Sequence, residues 1–476
     1  MLKTSAYNNT HDTAYDMAEY EVIIIGAGVI GGSIARALSQ FKVKVLVLEK
    51  ENDVSCGASK ANSGIVHGGY DDPNGSVKAR FSRTGNMAFD KLESELHFGF
   101  KRCGSMVIGF DDDDLVALHK LKENGERNGV EDLKILTKDE IFRLEPHMNP
   151  QVTCALYCPS AGITSPYELT IALFENAIEN GAFLKLNSEV TGINHLESGL
   201  FRVSTDHISY ISKYVVNAAG VYSDRIAQML GVADFTIHPK KGEYILLNKN
   251  QGALANGVIF QTPTEKGKGI LVTKTYHGNL MLGPNAQFVD NKADTLTNLE
   301  QLDYIATVAR RSIPDFNLKM KIRTFSGLRA SSNRHDFIIE ESCIKGFILV
   351  AGIESPGLTA SPAIADYVLE LLVKSGLTLE RNPAYNPHRR PIIVPKDDAF
   401  EGAIDRIDPN SKIICRCEQV TEAEIVDALT RNIPVLDLDA IKRRTRARMG
   451  PCQGHFCTPR ILAVAKGLGI RLSEKN

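Results

Sequence analysis

The chain is 476 residues long, with 55 Lys and Arg against 57 Asp and Glu and a formal net charge of −2 at pH 7, a balance that argues against a basic nucleic-acid-binding protein. Apolar residues at 43% and charged residues at 24% are ordinary globular proportions, which exclude global disorder. The length points to two to four domains and a core large enough to hold a sizeable cofactor.

Residues 1–20 are polar and mixed in charge, without the basic start and apolar centre of a secretory signal, and read as a flexible extension of a cytoplasmic protein. No apolar run reaches the roughly 18–20 residues that cross a bilayer; the best, Val22 to Leu38, is broken by glycines, Ser33 and Arg36. From Glu21 the sequence predicts a strand over Val22–Ile25, a turn Gly26-Ala27-Gly28-Val29-Ile30-Gly31, a helix through Ile34, Ala35 and Leu38, and a strand over Val43–Leu48 that ends at Glu49. In such a β-α-β unit Gly26 permits the tight turn, Gly28 lets backbone approach a pyrophosphate, and Gly31 allows close helix–strand packing. Glu49, about 20 residues beyond Gly28, is placed to accept hydrogen bonds from ribose hydroxyls.

Ser55 to Gly75 is rich in Gly, Ser, Asn and Asp and predicts a long ordered loop. Asp111 to Asp114 precede a helical pattern (Leu115, Leu118, Leu121) and read as charge at a helix N-terminus, with no catalytic role. A helix is expected over Tyr167–Asn180 and a buried strand over Tyr214–Val216, entering Asn217-Ala218-Ala219-Gly220. From Gly242 to Gly283 short alternating runs predict a mainly antiparallel second region with a turn at His277-Gly278, where His277 is either a second, weaker candidate for a general base or a solvated corner. A buried strand over Phe347–Val350 leads through Ala351–Gly357 into an apolar helix ending near Leu372, so distant segments close the cofactor fold. Prolines mixed with charges over 381–412 read as an exposed linker to a compact C-terminal module.

Three segments separate FAD from NAD. Ser59–Gly69, Val216–Asp224 and Ala351–Gly357 resemble the FAD-dependent oxidoreductases of the D-amino-acid-oxidase type. Within them the likeness from Val22 to about Leu372 is most similar to the anaerobic-type FAD glycerol-3-phosphate dehydrogenases, and secondly to the L-2-hydroxyglutarate dehydrogenases. The resemblance implies that Asn62, Ser63 and Gly64 lie against the flavin and its phosphates and that His67 sits near the isoalloxazine. It implies that Gly220 lets the chain pass close to the cofactor. Gly352, Glu354, Gly357 and Leu358 then set backbone N–H groups near the pyrimidine end, where a helix N-terminus stabilises the negative charge gained on reduction.

Oxidising a secondary alcohol needs a general base as well as a hydride acceptor. His67 is the first candidate, beside the reading that it only packs on the flavin. Gly327-Leu328-Arg329 resembles a segment that supplies a substrate-binding arginine in the glycerol-3-phosphate dehydrogenases; a guanidinium fork suits carboxylate and phosphate alike. Lys241 and Tyr244 either extend that wall or belong to an ordinary strand with an exposed lysine.

Of the nine cysteines, Cys415, Cys417, Cys452 and Cys457 are grouped in two short pairs, a donor set that suits zinc or a [2Fe-2S] cluster. Ile414–Glu418 and Gly450–Cys457 resemble the bacterioferritin-associated-ferredoxin-like [2Fe-2S] domain, which favours the cluster. Cys56, Cys103, Cys154, Cys158 and Cys343 read as free or buried thiols. The basic run Lys442, Arg443, Arg444, Arg446 and Arg448 reads as a solvated helix face that offsets cluster charge or docks an acidic redox partner.

The fold class expected is α/β. Residues 21–380 form a Rossmann-like FAD-binding domain interleaved with a mainly antiparallel substrate domain, 381–412 the linker, and 413–476 a small helical iron–sulfur domain. The function implied is oxidation of sn-glycerol 3-phosphate to dihydroxyacetone phosphate, with electrons leaving through the cluster to a partner subunit or quinone, at most peripherally at the inner membrane face. The alternatives are oxidation of L-2-hydroxyglutarate or another 2-hydroxy acid, an electron-transfer subunit without a productive substrate site, and a zinc-stabilised interaction module.

Overall fold

The computed structural model describes residues 19–263, 269–397 and 399–473, so the extension read at 1–20 lies outside the described residues except for Glu19 and Tyr20. Tyr20–Ile25 is the centre of an eight-stranded sheet, counted among the described residues. It pairs in parallel with Val45–Leu48 on one side and with Ser209–Asn217 on the other, and Phe347–Ala351 extends the parallel set. These strands are near-continuous apolar runs because both faces are covered. Val22 and Ile24 pack with the helices Val29–Ser39, Val77–Leu96, Pro166–Glu179 and Gly357–Lys374, whereas Ile23 and Ile25 pack with Val190, Phe201, Val203 and Ile226 on the other face. Register brings Ile25, Leu48, Asn217 and Leu349 level. The carboxyl ends of the parallel strands therefore open on one crevice, where ligands bind in sheets of this kind.

The second sheet is nine-stranded among the described residues and antiparallel except where Val258–Gln261 runs parallel to Ser105–Gly109. Its long pair, Ile237–Leu247 against Lys321–Ser332, aligns Lys240 with Arg329 and Gly242 with Gly327. The helix Leu299–Ala309 covers its back through Leu302, Ile305 and Ala306. Asp111 caps Asp112–Arg127 by accepting the Asp114 N–H at 2.9 Å, which gives the acidic run its role. Cys154 and Cys158 lie on a strand, four residues apart.

The C-terminal module is a two-stranded ladder with helices Glu422–Thr430, Leu438–Thr445 and Thr458–Gly467 around Ile425, Leu438, Ile441 and Ile461. The proline-rich segment before it is mostly exposed or half-buried, with Arg389 and Ile392 as buried exceptions. Ile392 is buried in the module's core. Arg389 is buried against Glu175 of the helix Pro166–Glu179, which also takes Arg431 of the module at 2.9 Å. An apolar anchor and a shared carboxylate fix the segment at its middle.

Candidate functional site

A cavity of about 1950 Å³ lies between the two sheets. Ligand pockets commonly measure about 300–1,000 Å³, so this one has room for an extended dinucleotide and a substrate together. Its first end is the glycine turn. Gly26 has φ +107°, and a Cβ there would lie 2.5 Å from the Ala218 carbonyl oxygen. A Cβ on Gly31 would lie 2.0 Å from the Gly26 carbonyl oxygen, so Gly31 stands behind the wall and sets helix against strand. Gly28, Val29 and Ile30 line the cavity at the start of Val29–Ser39, which has no acidic residue in its first turn. Its positive end therefore faces the space a pyrophosphate would take. The Glu49 carboxylate accepts the Ala27 N–H at 2.7 Å and the Glu51 N–H at 2.9 Å. Burial raises its pKa against those hydrogen bonds, and both oxygens keep lone pairs for hydroxyl donors. Gly220 lines the cavity with nothing within 4 Å of its missing side chain.

The glycine-rich loop meets the second sheet at the other end: a Cβ on Gly327 would lie 1.9 Å from the Ala61 carbonyl oxygen. Asn62 shapes the loop, its side chain accepting the Gly64 N–H at 2.8 Å and donating to the Ala58 carbonyl at 3.0 Å. Asn62, Ser63, Gly64 and His67 all line the cavity. The His67 N–H donates to Thr359 Oγ1 at 2.9 Å, its Nε2 lies 3.5 Å from Ser355 Oγ, and its ring packs on Phe260. Glu354, Gly357 and Leu358 line the cavity where Gly357–Lys374 begins without a side-chain cap. The Glu354 carboxylate pairs with Lys78 at 2.8 Å, which outweighs burial and holds its pKa below the usual range. Gly352, with φ +67°, turns the side on which a Cβ would stand toward Ser332, 3.0 Å away, between the cavity-lining residues Val350 and Ile353.

Arg329 projects into the cavity from the long strand pair, and among the described residues no carboxylate pairs with it; its guanidinium nitrogens stand 3.4 Å from the Asn285 carbonyl oxygen. Tyr244 stacks on Phe325 at 4.6 Å, and burial pushes its hydroxyl pKa up against the neighbouring Arg329 guanidinium and Ser63. Lys241 corrects both readings made of it. It is buried, and its ammonium donates to Asp294 at 2.9 Å and to the Leu296 carbonyl at 3.1 Å. The strand's period of two puts Lys240 and Tyr244 on the cavity face and Lys241 and Glu243 on the other. Lys240, missed in the sequence, was legible from Tyr244 by counting back four.

His277 is not a solvated corner. It lines the cavity, bonded through Nε2 to Glu168, and burial lowers its pKa despite that carboxylate. The basic run is not a solvated face either. Arg443 and Arg444 converge on Asp53, at 2.6 Å and 2.8 Å, with Asp53 and the Arg444 side chain fully buried. Arg446 donates to Glu418 at 2.9 Å and to the Tyr167 hydroxyl at 2.7 Å. The run is the buried contact between the module and the cofactor fold.

The four C-terminal cysteines stand in two pairs. Cys417 and Cys452 have sulfurs 3.7 Å apart, and the thiols of Cys415 and Cys457 act on each other so that the pKa of Cys415 is lowered and that of Cys457 raised. The Arg448 N–H reaches both members of the second pair. A Cβ on Gly450 would lie 2.2 Å from Cys417 Cβ, so only glycine lets the two loops close. Among the described residues no three or more His, Cys, Asp or Glu side chains gather as a single-ion site. Two facing thiol pairs match the ligand set of a cluster in which each of two irons takes two thiolates.

Residues 21–371 match the family described as FAD dependent oxidoreductase, and residues 413–466 match the BFD-like [2Fe-2S] binding domain. The chain is 46% identical over 460 residues to a glycerol 3-phosphate dehydrogenase of Caloramator mitchellensis, covering 96% of each chain. It is 32% identical over 380 residues to a glycerol 3-phosphate oxidase of Mycoplasma genitalium, covering 78% of this chain and 99% of that one. Among solved structures, a dithionite-reduced L-alpha-glycerophosphate oxidase from Mycoplasma pneumoniae with FAD bound superposes with a TM-score of 0.74 at 30% identity, over 78% of this chain and 98% of that one. A glycine turn with its acid, a flavin-type loop and two thiol pairs thus coincide with these matches, and the chain belongs to the FAD dependent oxidoreductase family and carries a BFD-like [2Fe-2S] binding domain.

Proposed function

We propose that the protein is a dehydrogenase that oxidises sn-glycerol 3-phosphate to dihydroxyacetone phosphate and delivers the electrons singly to an outside acceptor, a carrier protein or a quinone. The observation that carries the reading is Arg329, a cavity cation that no described carboxylate neutralises, with Lys240 directly across the ladder. Two adjacent cations suit the dianionic phosphate of a small ester better than the single charge of one carboxylate. The 46% identity to a glycerol 3-phosphate dehydrogenase supports the same substrate.

FAD supplies the hydride acceptor and the [2Fe-2S] cluster the one-electron outlet when they are bound. The chain's own residues do the rest. Gly28, Val29 and Glu49 hold the dinucleotide at phosphate and ribose. Arg329 and Lys240 clamp the substrate phosphate, with Tyr244 beside the guanidinium. His67, tied by its backbone to Thr359, takes the hydroxyl proton as the carbinol carbon is oxidised. Cys415, Cys417, Cys452 and Cys457 hold the cluster. Among the described residues no helix is long and apolar enough to cross a membrane, and we assign the protein to the cytoplasm, meeting a quinone only at the membrane surface.

Anaerobic addition of sn-glycerol 3-phosphate to the FAD-loaded protein is expected to bleach the oxidised-flavin spectrum at concentrations where L-2-hydroxyglutarate does not. Bleaching by the hydroxy acid alone would transfer the assignment to that substrate class.

A further inference from the structure

Tyr167, Arg446, Met449 and Gln453 line the cofactor cavity where the cysteine module meets it. Arg446, 7% exposed and in the left-handed conformation (φ +65°), leaves the module just after Leu438–Thr445. Its Nε donates to Glu418, the neighbour of Cys417, at 2.9 Å, and its Nη1 to the Tyr167 hydroxyl at 2.7 Å. Lys249, from the connection after Ile237–Leu247, donates to the same Glu418 oxygen at 2.9 Å. Tyr167 lies in the first turn of Pro166–Glu179, and Pro166 Cδ is 3.3 Å from the Cβ position of Gly64 in the flavin-type loop. The Tyr167 hydroxyl also contacts Met449 Sδ at 3.5 Å, and Gln453, the neighbour of Cys452, lines the cavity with it.

A buried guanidinium is a costly way to glue two domains. An apolar side chain of similar volume is often neutral or stabilising in its place, whereas a charged hydrogen-bonding fork fixes one geometry. The module also has an independent anchor in Asp53 with Arg443 and Arg444, so Arg446 is not needed merely to keep it attached. We propose that Arg446 is a positioning residue for electron transfer between the two cofactors: by bridging Glu418 and Tyr167 it holds the Cys417–Cys452 side of the cluster against the flavin end of the cavity. The inference rests on the substrate reading above for its natural electron donor. Substrate oxidation releases two electrons and two protons, one proton from the hydroxyl and one with the hydride. One electron then passes to the cluster, converting one ferric ion to ferrous, and the other follows once an outside one-electron acceptor, quinone or carrier protein, has reoxidised it.

The test uses the iron-replete holoenzyme and its Arg446→Met, Arg446→Lys and Tyr167→Phe variants, mixed anaerobically with sn-glycerol 3-phosphate. Flavin bleaching is followed by stopped flow and cluster reduction by freeze-quench electron paramagnetic resonance. Arg446→Met is expected to slow cluster reduction at least tenfold relative to flavin reduction, and Arg446→Lys, which cannot span both acceptors, to recover only part of that loss. Hydrogen exchange in the oxidised protein supplies a readout independent of turnover: amides of residues 167–173 are expected to exchange faster in Arg446→Met. An unchanged ratio of cluster to flavin rates in Arg446→Met overturns the proposal. If that variant fails to assemble its cluster, Tyr167→Phe decides in its place, through the same ratio. If the wild-type flavin is not bleached by sn-glycerol 3-phosphate, the substrate reading fails by itself, and photoreduction of the flavin with EDTA as donor starts the same comparison.

Discussion

Replacing Asp53 by Ala removes the single carboxylate that two buried arginines share. Arg444 donates to both of its oxygens at 2.8 Å and Arg443 to one at 2.6 Å. Among the described residues the Nε atoms of both arginines lack partners, and the one other acceptor of Arg444 is the Ala440 carbonyl at 3.2 Å. Breaking a buried pair by deleting one partner costs about 3–5 kcal/mol, because a charge is left desolvated. That is a large share of the roughly 5–15 kcal/mol that holds a typical protein folded. Asp53→Ala is therefore expected to lower the module's unfolding free energy by that amount, read from the midpoint and slope of a urea titration, and to separate its unfolding from that of the cofactor fold. A cycle with Arg444→Met should show strong non-additivity, since the second change removes a charge the first had stranded. The pH dependence has a fixed sign. Burial alone would raise the Asp53 pKa, but Arg444 and Arg443 outweigh it and hold it below 3.8. The stabilisation is thus complete above about pH 4 and is lost as pH falls through the lower folded value. A loss below 1 kcal/mol in Asp53→Ala, with additive behaviour in the cycle, would refute the reasoning.

Three further outcomes follow from the site. Arg329→Ala is expected to lower kcat/KM for sn-glycerol 3-phosphate by about ten- to 100-fold, the worth of one charged hydrogen bond at roughly 1.5–3 kcal/mol, with FAD content unchanged. Arg329→Lys should restore part of it. His67→Asn is expected to slow flavin reduction by about 10²–10⁴-fold, the usual contribution of a general base, measured by stopped flow on protein of equal FAD content; a loss under threefold would leave His67 a packing role only. Cys417→Ser is expected to lose iron and labile sulfide by chemical analysis while substrate still bleaches the flavin.

Much of the cofactor end was legible because its logic is local. Gly26, Gly31 and Glu49 fall within one β-α-β unit, where turn geometry and strand length fix their positions. The closing helix at Gly357 was legible in the same way, and the four cysteines stood out as one donor set, though only their resemblance to the [2Fe-2S] domain chose a cluster over zinc. The errors share one cause. His277, Lys241 and Arg443 to Arg446 were read as solvated because charged side chains usually are, and each is buried by a partner far away in sequence. Asp53 and Arg444 are 391 residues apart, and His277 and Glu168 are 109 apart. Nothing near Arg444 signals the carboxylate that awaits it.

The most direct test of the account is the electron paramagnetic resonance spectrum of the iron-replete protein frozen after anaerobic mixing with sn-glycerol 3-phosphate alone. The account predicts the signal of a singly reduced [2Fe-2S] cluster, together with loss of the oxidised-flavin spectrum. A bleached flavin beside a silent cluster, or zinc in place of iron, would contradict it.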